Sequence, residues 1–160
     1  MLMDIQPITA WAAVITAIGA IGGIIGGILT YKKSIKERRT EWLYRLFKDF
    51  YEDDQFKQIR AKLDSENIRI LEDAIKKETN KKELTESEDK FLEAFVDYLN
   101  FFEFILYLQK TKALHEEEVK QLFAFYLNLL KNKSKIICEY ILKPENGFEL
   151  LGQYLENQKE

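Results

Sequence analysis

Apolar residues are distributed unevenly along this chain, and the pattern changes after residue 31. Residues 8–31 contain no charged side chain, whereas from Trp42 onward apolar residues recur every three or four positions. That recurrence is typical of amphipathic helices, and no stretch shows the strict alternation of a half-buried strand. The chain has only two prolines, so few helices should be interrupted. The sequence predicts an all-α protein with one N-terminal transmembrane helix that continues into a helical bundle.

The uncharged stretch is long enough to cross a lipid bilayer. As a helix that rises about 1.5 Å per residue, its 24 residues would span about 36 Å, and a hydrocarbon core is about 30 Å thick. Trp11 and Tyr31 lie near its two ends, where aromatic rings favour the headgroup layers. Positive charges follow the stretch instead of preceding it, unlike those of a cleaved secretory signal. We expect a transmembrane segment over residues 1–31, with a hydrophobic hairpin or a surface-docked helix as alternatives.

Small residues in this segment fall on one helical face, opposite a face rich in isoleucine. Such residues allow transmembrane helices to approach closely, which predicts packing against further copies of the same chain. The alternative is that glycine is simply frequent in membrane spans. A face with two edges is compatible with a ring as well as with a closed dimer, so the number of subunits stays open. The predicted packing residues are Ala12, Thr16, Gly19, Gly22, Gly23, Gly26 and Gly27.

A run of basic residues follows the uncharged stretch. Lysine and arginine accumulate on cytoplasmic flanks, so we expect an external N-terminus and a cytoplasmic C-terminal domain. Contact with anionic headgroups is the expected role of the run, and RNA binding is the less favoured alternative. Residues 32–63 are predicted to form one unbroken stalk helix, because helical spacing continues to Leu63. The expected headgroup residues are Lys32, Lys33, Lys36, Arg38 and Arg39.

Residues 64–160 are predicted to form the helical bundle. Asp64 and Ser65 are suitable N-cap residues for its first helix, and the charged tract 76–83 is a loop candidate. Thr85 with Glu88 has the spacing of a capping box before the most apolar helix. The next helix is expected to begin near His115 and to run through Ile141. A turn at residues 143–147 and a short closing helix complete the prediction.

Few residues of this chain are suited to catalysis. There is one histidine, His115, and one cysteine, Cys138, which excludes multi-histidine metal sites and a disulfide within the chain. Outside residues 8–31 only Gly147 and Gly152 remain, so a glycine-rich phosphate loop is excluded. Acidic residues are concentrated at helix starts, where the helix dipole accounts for them. We expect no enzymatic activity, no cofactor and no metal, and structural roles for His115 and Cys138.

One polar residue in the most apolar helix needs a partner. Glu103 lies among core positions in the run Asn100-Phe101-Phe102-Glu103-Phe104, and a buried carboxylate requires a compensating charge or hydrogen bond. Arg45 or Arg60 of the stalk could form a bidentate ion pair with it. We therefore predict a structural ion pair that docks the stalk on the bundle.

The order of elements resembles a bacterial family of single-span membrane proteins of unknown function. The resemblance rests on Glu41–Tyr51, Phe56–Arg60, Tyr98–Glu103 and Asn146–Phe148. The overall plan is similar to that of the small membrane accessory protein of type VI-B CRISPR systems, which combines one span with a degenerate HEPN-like helical domain. Ribonucleases of the HEPN class carry an arginine a few residues before a histidine. Here Arg69 is the last arginine before His115, so that pair is absent.

The resemblance implies an antiphage accessory protein of the bacterial inner membrane. By this resemblance it would form a homo-oligomer, with a ring as the implied arrangement, and would open or gate a membrane pore when an RNA-guided nuclease is active. A non-conducting membrane anchor that recruits a cytoplasmic partner is the alternative, and an RNA-binding or RNA-cleaving protein is the third. Nucleic acid is not an expected partner.

Overall fold

The computed structural model of the protein describes residues 30–65 and 68–157. The small-residue face at positions 12–27 lies outside these residues, as does nearly all of the predicted transmembrane segment. No helix in the two described ranges is long and apolar enough to cross a membrane. These ranges contain helices and connecting turns but no strand, so the all-α prediction is confirmed for them.

The chain divides into two units, Met1–Lys48 and Asp49–Glu160. In the first unit the described residues form a single helix, and the second unit is a helical bundle. A 3-10 turn at Pro144–Asn146 precedes the last helix. The helices are α1 at residues 30–52, α2 at Asp54–Asp64, α3 at Arg69–Thr79, α4 at Glu86–Lys110, α5 at Glu116–Lys133, α6 at Lys135–Leu142 and α7 at Glu149–Asn157.

Helix α4 is the centre of the bundle and contacts α2, α3, α5 and α7. Its buried side chains recur at helical spacing and include Phe95, Tyr98 and Phe102. The Phe50 ring, from the last turn of α1, lies 5.6 Å from the Phe102 ring and 5.5 Å from that of Phe123 between ring centroids. Each fully buried aromatic or aliphatic side chain contributes about 1.5–3 kcal/mol through the hydrophobic effect. The core is therefore an aromatic cluster around α4.

Two predicted continuous helices are interrupted, and a capping residue causes each break. The stalk helix was predicted to run unbroken to Leu63, but Asp53 is extended and its carboxylate accepts a hydrogen bond from the Phe56 backbone N–H at 2.8 Å. The helix predicted to run through Ile141 is broken in the same way at Ser134. Aspartate and serine side chains compete with helical backbone hydrogen bonds and favour a new helix start. Both predictions of continuity were wrong.

Two of the predicted helix starts are confirmed, and one is wrong. The capping box is confirmed, because Thr85 and Glu88 exchange hydrogen bonds at the start of α4. His115 occupies the N-cap position of α5, as predicted. Asp64 and Ser65 were predicted as N-caps but lie at the end of α2, where the Ser65 hydroxyl donates to the Lys62 carbonyl. The charged tract 76–83 is a loop only in its second half, since α3 continues to Thr79.

Candidate functional site

The basic residues of α1 form an exposed surface in the first unit. Lys32, Lys36 and Arg39 follow one another at spacings of four and three residues, so they share a helical face. Lys32, Lys33, Lys36 and Arg38 are exposed, and Arg39 is half-buried. Tyr31, Ile35 and Trp42 form an exposed apolar stripe on the same helix. Aromatic rings beside lysine and arginine are typical of helices at a membrane interface.

Arg60 of α2 binds the end of α1. Its guanidinium donates hydrogen bonds to the carbonyl oxygens of Phe50, at 2.5 Å, and Tyr51, at 3.1 Å. The guanidinium carbon also lies 4.7 Å from the centre of the Phe50 ring and 5.2 Å from that of the Tyr51 ring. Carbonyls in the last turn of a helix lack partners within that helix, and cations favour that end. Arg60 therefore closes the C-terminal end of α1.

Glu103 binds a different group from the one predicted. Its carboxylate accepts hydrogen bonds from the backbone N–H groups of Leu150, at 2.9 Å, and Leu151, at 2.8 Å, in the first turn of α7. The first N–H groups of a helix have no partner within the helix, and the positive end of the dipole favours a carboxylate. The need for a partner was predicted correctly. The ion pair was wrong, because Arg60 binds the carbonyls of α1 and Arg45 pairs with Glu41 at 2.6 Å.

Three tyrosines lie beside Arg60 in the aromatic core. The Tyr98 hydroxyl is buried and has no hydrogen-bond partner among the described residues, and this desolvation raises its pKa. Burial, together with a hydrogen bond to Tyr126, raises the pKa of Tyr51 to about 12. Both phenols are therefore neutral at physiological pH. Neutral phenols without an adjacent base are not activated nucleophiles.

His115 and Cys138, the one histidine and the one cysteine of the chain, both lie within or at the start of a helix. The backbone N–H of His115 donates to the Glu118 carboxylate at 2.7 Å, which completes the start of α5. Cys138 is a free, half-buried thiol in α6. Across residues 30–65 and 68–157, no group of three or more histidine, cysteine or acidic side chains could bind a metal ion.

Two clefts of the bundle are lined by polar and apolar side chains together. The first, of about 590 Å³, lies between α2 and α4 and is lined by residues that include Gln55, Gln58, Lys90 and Asp97. The second, of about 250 Å³, lies between α3 and α6 and includes Lys76, Thr79 and Lys143. Neither lining contains histidine or cysteine, so neither provides a nucleophile with an adjacent imidazole base.

The outward side of α4 carries large aromatic side chains that sequence reasoning did not single out. Phe104 is 48% exposed and Tyr107 is 53% exposed, one turn apart on the side opposite the core. Phe125 of α5 is 60% exposed. In the sequence, apolar residues cover more than one face of α4. A helix that packs on one side only needs a single apolar face, so this pattern indicated further apolar surface. Large exposed apolar residues that cluster indicate an interaction surface.

Comparison with known proteins identifies one family for this chain. The family described as Domain of unknown function (DUF4760) matches residues 9–141, which is most of the chain. No curated protein and no solved structure matches this chain. The matched range includes residues 9–31 of the uncharged stretch, the basic helix and the bundle into α6. The chain belongs to the DUF4760 family.

Proposed function

We propose that this protein is a non-enzymatic antiphage accessory of the bacterial inner membrane that self-associates and forms or gates a pore. The observation that carries the proposal is the uncharged stretch of residues 8–31 followed by the exposed basic residues of α1. In the proposed topology the N-terminus is outside and the bundle is cytoplasmic. An apolar pore lining would close by excluding water.

The small-residue face supports self-association within the bilayer. Gly19, Gly23 and Gly27 repeat every four residues, and Gly22 with Gly26 repeats the same spacing beside them. Lipid tails are as apolar as isoleucine, so helices associate where small residues permit close backbone contact. Lys32, Lys36 and Arg39 would then contact anionic headgroups, at about 1 kcal/mol for each residue near the surface. The resemblance to the type VI-B accessory supports the further proposal that an RNA-guided nuclease system is the partner.

Purified full-length protein in planar bilayers tests the pore. We expect discrete conductance steps, and a loss of most of that conductance in Gly23→Leu because the side chain would separate the packed helices. Ile21→Leu is the matched control, since it keeps the side-chain volume on the opposite face. Absence of conductance, with the protein inserted and oligomeric, would reject the pore.

A non-conducting adaptor is the second candidate. The exposed Phe125 on α5 favours it, because a solvent-exposed aromatic of this size is suited to binding a cytoplasmic partner. An adaptor would give no conductance and would lose antiphage protection on Phe125→Ser with membrane insertion unchanged. Protection in plating assays, measured in a host with and without the RNA-guided nuclease, distinguishes the two candidates and tests the partner.

A further inference from the structure

Three large apolar side chains share one side of α1 in the first unit. They are Tyr31, Ile35 and Trp42, all exposed, and we call them the α1 stripe. At about 100° per residue they lie within about 40° of one another around the helix axis. An exposed apolar stripe along a helix indicates a surface on which that helix packs. The α1 stripe is therefore suited to a partner that is at least partly apolar.

The charges of residues 30–48 are sorted around this stripe. Arg38 and Arg39 flank it on opposite sides, about 40° and about 60° from its centre. The two acidic residues of this range, Glu37 and Glu41, lie about 140° and about 100° from the centre, toward the other side of the helix. Glu37 also lies 3.9 Å from the Lys33 ammonium, which partly compensates its charge. The stripe is thus bordered by arginine and separated from carboxylates, which complements a negatively charged surface.

The position of the α1 stripe in the chain favours a lipid bilayer as that surface. The stripe begins at Tyr31, the last residue of the uncharged stretch 8–31, which is long enough to cross a hydrocarbon core. Ile35 gains from burial at the boundary of the acyl chains, whereas an aliphatic side chain has no ring to stack on a nucleobase. Aromatic rings beside lysine and arginine are suited to the headgroup layer.

The length of the stripe decides how α1 is oriented against a bilayer. Tyr31 and Trp42 are eleven residues apart in sequence, which is about 16 Å along a helix axis. Each headgroup layer is only about 5–8 Å thick, since a bilayer of about 40–45 Å contains a hydrocarbon core of about 30 Å. A helix perpendicular to the membrane would place Trp42 beyond this layer, in water. A helix along the surface places the whole stripe within it.

We propose that residues 31–45 of α1 lie along the surface of an anionic phospholipid bilayer, with the α1 stripe turned toward the acyl chains. Arg38 and Arg39 then bind lipid phosphates on the two sides of the stripe, where each planar guanidinium can donate to two phosphate oxygens. The inference rests on the proposed membrane anchor. It adds the orientation of the basic helix and a preference for negatively charged lipid.

Quenching of Trp42 fluorescence in proteoliposomes tests the orientation. The full-length protein carries Trp11→Phe, so that Trp42 is its single tryptophan. In vesicles that contain phosphatidylglycerol, lipids brominated near the glycerol end of the acyl chains should quench Trp42 more than lipids brominated near the chain ends. Aqueous acrylamide should quench it weakly there and more strongly in vesicles of phosphatidylcholine alone. Strong acrylamide quenching in both kinds of vesicle would overturn the inference.

Single charge removals test the side of α1 that faces the lipid. At a phosphatidylglycerol content where both states are populated, Arg38→Gln should lower the ratio of shielded to acrylamide-accessible Trp42 by about fivefold. Lys33→Gln is the matched control, because it removes the same charge about 180° from the centre of the stripe. Its effect should be clearly smaller. Equal effects would mean that net charge alone attracts the helix, which would overturn the assigned orientation.

Flotation of the same vesicles after alkaline extraction separates this inference from the proposed function. If the protein floats with the vesicles while acrylamide still reaches Trp42, the anchor stands and the orientation of α1 is overturned. If the protein is extracted, the proposed membrane span fails and this inference fails with it. If Trp42 is shielded but no brominated lipid quenches it, the stripe packs on another copy. Shielding that appears only when RNA is added would make RNA the occupant, and either result overturns the inference.

Discussion

Residues 30–48 of α1 and helix α4 both carry large apolar side chains, but only α4 buries them. Seven side chains of α4 are buried, including Phe95 and Phe102, whereas residues 30–48 contain no buried side chain and expose Tyr31 and Tyr44. Local ion pairs such as Glu41 with Arg45 add only about 0.3–0.5 kcal/mol to a helix. The stability of α4 therefore comes from packing within the chain. In residues 30–48 the exposed apolar side chains of Tyr31, Ile35 and Tyr44 make no such contribution.

Phe50→Ala should give the largest loss of stability, about 3–5 kcal/mol in the free energy of unfolding. Phe50 is fully buried among the rings of the bundle, and removal of its ring leaves a cavity. Tyr44→Ala, two turns earlier in α1, should change the same quantity by less than about 0.5 kcal/mol. Denaturant unfolding of the detergent-solubilised protein measures both. Equal effects would contradict the distinction between the two parts of α1.

Glu103→Ala should destabilise the bundle by about 2 kcal/mol, because two backbone N–H groups of α7 lose a charged acceptor. Glu103→Gln keeps one oxygen acceptor and should have a smaller effect. Hydrogen exchange at the Leu150 and Leu151 amides should increase in both variants. If exchange there stays at the wild-type rate while stability falls, Glu103 acts by another contact.

Arg60→Lys should cost about 1–2 kcal/mol. Lysine retains the positive charge but cannot donate to two carbonyls with a planar guanidinium, nor cover the Phe50 ring in the same way. Arg45→Lys is the matched control, since Arg45 binds an exposed carboxylate one turn away. Thermal unfolding should separate the two variants by several degrees. Similar midpoints would indicate that the charge alone stabilises the end of α1.

Glu88→Gln should give a smaller, pH-dependent effect. The Lys77 ammonium, with the backbone N–H and hydroxyl of Thr85, lowers the pKa of Glu88 from 4.5 to about 2. A lowered pKa in the folded state stabilises the protein above the ordinary pKa of the group, and that contribution disappears as the pH falls. The stability difference between wild type and variant should therefore shrink between pH 4.5 and pH 2. Glu86→Gln, which removes an exposed carboxylate from the same turn of α4, is the matched control for the loss of one charge.

The sequence supported correct predictions where the signal is local. Thr85 and Glu88 are three residues apart, so the start of α4 depends on a short pattern that is readable in the chain. Asp53 and Ser134 were missed because apolar residues on both sides keep helical spacing across each break. Helical periodicity shows which face is buried, but it does not show where one helix ends and an aligned one begins.

The partner of Glu103 could not be predicted for a different reason. A buried carboxylate needs hydrogen-bond donors. A sequence identifies arginine side chains directly, so arginine is the first donor to be considered. Backbone N–H groups are present at every position except proline, so nothing in the sequence marks those of Leu150 and Leu151. The exposed aromatic residues of α4 were partly predictable, since Phe104 and Tyr107 fall opposite the core positions, but their exposure depends on which helices cover α4.

Asp53 belongs to two helix ends at once within the second unit. Its backbone N–H donates to the Asp49 carbonyl at 3.1 Å in the last turn of α1, and its carboxylate accepts from the Phe56 N–H at 2.8 Å in the first turn of α2. Because the same residue completes both turns, a substitution at position 53 that alters its backbone conformation changes the end of one helix and the start of the next together.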